Sequence, residues 1–383
     1  MITAQMWEYL KNSQEELKQL IRDLCAIPAP SHHEEKRAAF CKAWFVKAGG
    51  EGVYIDDAFN VVCPHNVTDD SRLTVFMAHT DTVFPDMEPM QFTETAEFFS
   101  CPGVADDTAN LAVMMICARY YLQNKVPSPT GILFVANSCE EGLGNLKGCR
   151  AIVDRYGHRM DTFVTFDGFS LNKVACTAVG SHRYRVRIRT EGGHSYGAFG
   201  NRNAIYYLSS MITTFYSIKV PQEGNSKTTY NVGLISGGTS VNTIAQEAEM
   251  LFEYRSDNRN CLAKMEALFR NVIATYRDMG VEVDVELVGD RPCSSDVDPI
   301  QMEKLKQFAA ESIQTITGQV PEYYSSSTDC NIPLSRGIPA ICIGLCVAKG
   351  IHTRSETLNL TSLPMGSAYC MDFLSKFYSD ISV

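Results

Sequence analysis

The sequence predicts an α/β protein built on a mostly parallel sheet and interrupted by a smaller α+β unit of ferredoxin-like order. Three observations predict it. Short, wholly apolar runs such as Leu73–Ala78 (LTVFMA) and Gly131–Asn137 (GILFVAN) alternate with helical stretches, as buried parallel strands do. From about Gly180 the texture changes: Tyr184–Arg189 (YRVRIR) alternates apolar and charged residues, the pattern of a strand with one wet face. Beyond residue 290 the apolar runs and helices resume. A chain of 383 residues has room for two domains. The expected division is a discontinuous larger domain, 1–178 with 291–383, and an inserted domain, 179–290.

Each element follows from its pattern. Leu10, Leu17, Leu20, Ile21 and Leu24 lie on or near one face of an N-terminal amphipathic helix. Ile27-Pro-Ala-Pro-Ser31 breaks that helix, and Glu34–Val46 resumes one. Strand Leu73–Ala78 comes next, and Asp106–Asn110 then opens the apolar helix Leu111–Leu122. Strand Gly131–Asn137 ends just before Cys139-Glu140-Glu141, and strand Thr162–Phe166 ends at Asp167. In the middle segment the arginine-bearing strand precedes a helix (Ala204–Tyr216), strands near Thr228–Ile235 and Ala248–Tyr254, a helix (Cys261–Asp278) and strand Val281–Val288. This is the β-α-β-β-α-β order of a ferredoxin-like unit. Arg183, Arg185, Arg187 and Arg189 read as a solvated face, with a basic groove as the alternative. Helix Met302–Thr317, strand Ala340–Leu345 and helix Leu363–Tyr378 complete the larger domain.

Composition narrows the function. A net charge of -10 argues against nucleic acid or anionic membrane as the main partner. No stretch approaches the roughly 18 apolar residues of a membrane span. The fourteen cysteines contain no C-x-x-C pair and mostly lie in apolar or mixed segments, as buried free thiols do. Reduced thiols, with an N-terminus that has no apolar signal-like core, predict a cytoplasmic setting.

Chemistry enters at the strand ends. His79 follows a strand, where open α/β sheets hold their ligands. Asp81 can accept from one imidazole nitrogen and leave the other for a metal. Asp106, Glu141 and Asp167 also follow strands or open a helix, and His352 lies in the loop after Ala340–Leu345. Two imidazoles and three carboxylates are too few for two separate closed sites. They suffice for two divalent cations sharing one carboxylate. Mixed nitrogen and oxygen donors suit zinc, with cobalt or manganese as alternatives. Glu140, beside Glu141, is the spare acid that can act as general base. Taken singly, Asp106-Asp107 and Glu140-Glu141 are ordinary helix-start acids. Their recurrence at successive strand ends points to a site.

In this order and at these intervals the motifs resemble those of the co-catalytic zinc metallopeptidases, the family of carboxypeptidase G2, peptidase T, bacterial dipeptidases, carnosinase, acetylornithine deacetylase and succinyl-diaminopimelate desuccinylase. Ile27-Pro-Ala-Pro-Ser31 with Glu34 resembles that family's N-terminal helix break. His79-Thr-Asp-Thr-Val83 resembles its first metal motif, and Gly103-Val-Ala-Asp-Asp107 its second. Glu140-Glu141-Gly142 resembles the base-and-ligand pair, and Asp167-Gly168 the third acidic ligand. Gly193-His-Ser195 with Asn203-Ala204 resembles the inserted domain's histidine motif. Gly237-Gly-Thr-Ser-Val-Asn242 and Arg255 resemble its substrate anchors. Thr328-Asp329 and His352, with Glu356 beyond, resemble the C-terminal ligand segment.

The resemblance implies a zinc-peptidase catalytic domain and an inserted lid and dimerisation domain that makes a homodimer. It implies that Asp106 bridges two metal ions per subunit, His79 and Asp167 completing one site and Glu141 and His352 the other. Asp81 would orient His79, and Glu140 would be the acid/base. The peptide bond after Asp106 would be cis. His194, supplied by the inserted domain of a partner subunit, would stabilise the oxyanion, while Asn242 and Arg255 held the substrate. Two departures stand out. Thr108-Ala109-Asn110 replaces the usual Lys and Gly, and the third acid is Asp167 rather than Glu, which tilts the reading towards peptidases. The expected activity is hydrolysis of an amide bond in a small peptide, as a di- or tripeptidase or carboxypeptidase. The alternative is an N-acyl amino acid amidohydrolase. A catalytically dead scaffold is opposed by the complete ligand set.

Overall fold

A strand that is apolar on consecutive residues must be covered on both faces, and all seven residues of Leu73–His79 are buried. In the computed structural model, which describes residues 2–378, this strand lies inside an eight-stranded sheet. Its neighbours are Gly131–Asn137 and Met160–Gly168, both parallel to it, and Ala340–Gly344 continues the parallel set beyond Met160–Gly168. Four outer strands were not legible as apolar runs, the two-residue Tyr54–Ile55 on Val61–His65 among them. Val61–His65 and Lys173–Ala178 pair antiparallel to the central set, and Glu322–Ser326 runs along Lys173–Ala178. Period-two alternation divides the central side chains between two cores. Phe76, Ala78, Phe134, Phe166 and Ile343 pack with helices Gln14–Cys25, Asn110–Gln123 and Leu363–Tyr378. Val75, Met77, Leu133, Val135 and Phe163 pack with Cys149, Ile152 and Val153 of helix Lys147–Tyr156.

Two compact units result, Met1–Ala178 with Ser295–Val383, and Val179–Ser294. The second ends four residues beyond the expected 290. Strand Glu282–Arg291 runs past Val288 because Asp290 and Arg291 continue the ladder opposite His182 and Ser181, and Cys293 still packs in that unit's core. Other differences are local. The N-terminal helix is two helices, Ala4–Asn12 and Gln14–Cys25, meeting at Ser13, whose hydroxyl bonds back to the Tyr9 carbonyl. Strand Met160–Gly168 is longer than Thr162–Phe166, so Asp167 sits inside the strand end instead of after it.

The second unit is a four-stranded antiparallel sheet with helices Ala204–Tyr216 and Arg259–Asp278. Its strand order is Thr228–Gly237, Glu247–Ser256, Gly180–Arg189, Glu282–Arg291, the ferredoxin-like arrangement. The arginine face is electrically balanced. Arg185 pairs with Glu249 and Glu286, Arg187 with Glu247 and Glu249, and Arg189 with Glu247, Glu282 and Asp284. A basic groove is therefore absent from this face among the described residues. Among those residues, too, no helix is long and apolar enough to cross a membrane.

Candidate metal centre

Parallel register brings the sequence-distant residues together. His79 is the last residue of its strand and lies opposite Asn137, so the chain leaving Asn137 carries Glu140 and Glu141 past the same sheet edge. Asp167 nearly ends the parallel strand on the other side. Asp106 lies in the irregular turn Val104–Ala109 before helix Asn110–Gln123. That turn starts at Gly103, with φ of 74°, where a Cβ would stand 2.6 Å from Thr82 Cγ2; only glycine fits. The Asp106–Asp107 peptide bond is cis. His352 comes from the loop between the short strands Ala348–Lys349 and Thr357–Asn359.

The donors converge on Asp106. His79 Nε2 is 3.0 Å from Asp106 Oδ1 and 4.0 Å from Asp167 Oδ1. His352 Nε2 is 3.0 Å from Asp106 Oδ2 and 3.0 Å from Glu141 Oε1. One carboxylate thus shows a different oxygen to each imidazole, and each imidazole has a second acid beside it. Donor atoms of His79, Asp106 and Glu141 lie within 4.8 Å of one another, and so do those of His79, Glu140 and Asp167. Zinc bonds of about 2.0–2.1 Å to nitrogen and oxygen put tetrahedral neighbours roughly 3.3 Å apart, so these spacings suit such donors.

Several residues that the sequence only hinted at hold this arrangement. Asp107 Oδ2 accepts the His79 N–H at 2.9 Å, and its Oδ1 accepts from Asn110 Nδ2 at 2.8 Å. Asn110 also donates to the Gly168 carbonyl at 3.1 Å and accepts the Leu345 N–H at 2.9 Å. It therefore ties two strand ends to the turn that carries Asp106, two residues beyond Thr108, which stands where the family places its lysine. Glu356 accepts the N–H groups of Gly103, Ala105 and Asp106 at 3.1, 2.8 and 3.1 Å, fixing the turn that presents Asp106. The sequence marked it only by its place beyond His352 in the segment that resembles the family's C-terminal ligand segment. Asp81 holds more than the imidazole. His79 Nδ1 lies 3.0 Å from the Asp81 carbonyl oxygen and 3.5 Å from its Oδ1. The Asp81 carboxylate accepts from Ser31 Oγ at 2.6 Å and from the N–H groups of Glu140 and Glu141 at 2.9 and 3.0 Å.

Electrostatics supply the test of whether these residues fit metal ions. Asp81, Asp106, Asp107, Glu140, Glu141 and Asp329 are all buried, with His79 buried among them. Burial, with Asp106 beside it, pushes Glu141 up to about 7. Burial and Glu140 push Asp167 well above the carboxylate range and Asp329 up to about 8. Burial also acts against ionised Asp106, but bonds from His352 and His79 outweigh it and hold that carboxyl down at about 2. Hydrogen bonds to Asp106 and Glu141 push His352 up to about 10. Burial would lower His79, yet the charge of Asp107 and the bonds to Asp106 and Asp81 raise it. The cluster is short of positive charge. Two divalent cations would supply it, and the donor set fits them.

The remaining predicted site residues belong to the second unit. His194 is exposed, and its Nδ1 accepts the N–H groups of Tyr196 and Gly197, both at 3.3 Å. A neutral ring then carries its proton on Nε2, a donor. The Ser195 N–H bonds to the Asn242 carbonyl at 2.9 Å, so the His194 and Asn242 loops adjoin. Arg255 is forked onto Glu253 through Nε and Nη2, each at 3.0 Å.

Sequence comparison decides the family. The pattern of peptidase family M20/M25/M40 matches residues 75–376. The chain belongs to this family. YqjE from Bacillus subtilis is 26% identical over 365 residues, covering 89% of this chain and 92% of that protein. A tripeptidase structure from Staphylococcus aureus superposes with a TM-score of 0.77 at 22% identity, over 95% of this chain and 98% of the other. A second structure, the Bacillus subtilis YxeP protein, is described as a dinuclear metal binding peptidase from the M20 family. It superposes with a TM-score of 0.65 at 16% identity, over 96% and 99% of the two chains. At those identities the structures share the fold. Membership makes this chain a metal-dependent hydrolase of the peptidase type.

Proposed function

We propose that the chain is a cytoplasmic di- or tripeptidase, or carboxypeptidase, that works with two zinc ions per subunit held by His79, Asp106, Glu141, Asp167 and His352. The observation that carries this reading is Asp106, which offers one oxygen to His79 and the other to His352 at equal distances of 3.0 Å. Two such cations would lower the pKa of a water and polarise the amide carbonyl. The chain's own groups do the rest. Glu140 takes the proton of the attacking water and delivers it to the leaving amine. Asp81 fixes both the His79 ring and the backbone that carries Glu140 and Glu141. The His194 Nε2–H, brought by a partner subunit, donates to the developing oxyanion. Asn242 and Arg255 hold the substrate's carboxylate or backbone.

Dimerisation through the second unit is supported by its edge. Among the described residues strand Thr228–Gly237 pairs on one side only, and its Leu234 and Ile235 are exposed. Ile205 and Tyr206 of helix Ala204–Tyr216 are exposed as well. An apolar open edge is a template for a second copy. Fourteen free cysteines, thirteen of them buried, suit a reducing compartment.

The test is a parallel panel of dipeptides, tripeptides and N-acyl amino acids, assayed with Zn²⁺, Co²⁺ and Mn²⁺. Cleavage of free peptides, fastest with zinc, is expected. Exclusive cleavage of N-acyl amino acids would replace the peptidase reading with the amidohydrolase one.

A further inference from the structure

The turn that carries Glu140 is gripped by an acid for which the reaction has no use. Glu34 is completely buried. Its Oε1 accepts the His32 N–H at 3.1 Å, the Cys139 N–H at 2.9 Å and the Cys139 thiol at 3.2 Å. Both amide donors have left-handed backbone, His32 with φ of 75° and Cys139 with φ of 55°. Residues with a Cβ keep that conformation only where their surroundings hold them in it. The next two amides, of Glu140 and Glu141, end on Asp81 Oδ1 and Oδ2. Three consecutive N–H groups, 139 to 141, therefore each terminate on a carboxylate oxygen. Ser31 closes the cradle, its hydroxyl 2.6 Å from Asp81 Oδ2 and 3.3 Å from the Glu141 carbonyl oxygen.

The geometry points to Glu34 as a positioning residue for Glu140, acting through the amide and thiol of Cys139. The inference rests on the peptidase reading with Glu140 as acid/base. What the turn requires of Glu34 is an acceptor oxygen at one place. Its other oxygen, Oε2, has no hydrogen-bond partner among the described residues. The isosteric amide is therefore a discriminating probe. Glu34→Gln keeps an oxygen on all three donors and places its NH₂ where no bond is lost. Glu34→Ala leaves a left-handed Cys139 with a buried amide and no acceptor.

The experiment compares Glu34→Ala, Glu34→Gln and Glu34→Asp in the full chain, the last retracting the acceptor by one methylene should the alanine variant not fold. Metal content, kcat and KM on the best peptide, and hydrogen exchange of the segment 139–141 are measured together. Expected for alanine, and in lesser degree for aspartate, are two metals per chain, faster exchange at 139–141, and kcat down about 10- to 100-fold with KM within about threefold. Glutamine should restore slow exchange and bring kcat to within about threefold of wild type. A purely structural role would lower the melting temperature and leave kcat of the folded, metal-loaded enzyme unchanged, and that result overturns the proposal. So does a glutamine variant as impaired as alanine. Exchange needs no substrate: if the wild-type chain cleaves nothing, the peptidase reading fails while exchange still decides whether Glu34 holds the turn.

Discussion

Two parts of this molecule concentrate acidic side chains, and they solve the electrostatic problem in opposite ways. On the arginine face of the second unit, acids and guanidinium groups alternate across strands, partly exposed, and every arginine from 185 to 189 on that face meets a carboxylate. At the sheet edge of the first unit the acids are buried, and the two imidazoles are too few for them. An exposed lattice of balanced charge is cheap to assemble and weakly stabilising. A buried surplus of one sign is costly and is relieved either by protonation or by bound cations. The difference separates a solvated surface from a metal centre more sharply than acid content does.

The comparison can be broken most severely at Asp106. Asp106→Ala removes the oxygens that both imidazoles share, so metal analysis should find both ions lost and activity abolished. Retention of two tightly held metals would show that Asp106 is not the bridge. Glu140→Gln should spare the metals and still cost about 10²- to 10⁴-fold in kcat; a variant turning over at the wild-type rate would remove Glu140 from the chemistry.

Metal removal gives a third test, with a sign fixed by the site. In the metal-free chain Glu141 rests at about 7 against an ordinary 4.5, Asp329 at about 8 against 3.8, and His352 at about 10 against 6.5. All three bind a proton more tightly folded than unfolded. Stability therefore falls as pH rises through 4.5 to 7, 3.8 to 8 and 6.5 to 10 respectively. The melting temperature of chelated protein should rise as pH is lowered from about 9 to about 6, and bound metal should flatten that slope. An equally steep slope with metal bound would mean that the ions do not neutralise these groups. The smallest effect belongs to the balanced face. Arg187→Ala should cost under about 1 kcal/mol in urea unfolding, with activity unchanged. A much larger loss would erase the contrast between the two regions.

Legibility followed burial and periodicity. The central strands were readable because residues such as Leu73–Ala78 are apolar on both faces, and Ala204–Tyr216 because its helical pattern is unbroken. The outer strands Val61–His65, Lys173–Ala178 and Glu322–Ser326 were not, since short strands of mixed composition have no distinctive period. At the site, acids and histidines at strand ends were visible as types and spacings. The work of Asp107, Asn110, Glu356 and Glu34 was not, because each acts by accepting or donating to backbone groups far away in sequence.

The sequence alone thus determined the α/β class, the interrupting unit and the inventory of donors, since apolar periodicity and residue type are local properties. Tertiary structure decided which oxygen of Asp106 meets which imidazole, that Asp81 holds two amides besides orienting a ring, and that the arginine face is neutralised. Those depend on parallel register and on long-range hydrogen bonds, which bring residues such as Glu34 and Cys139 together across more than a hundred positions.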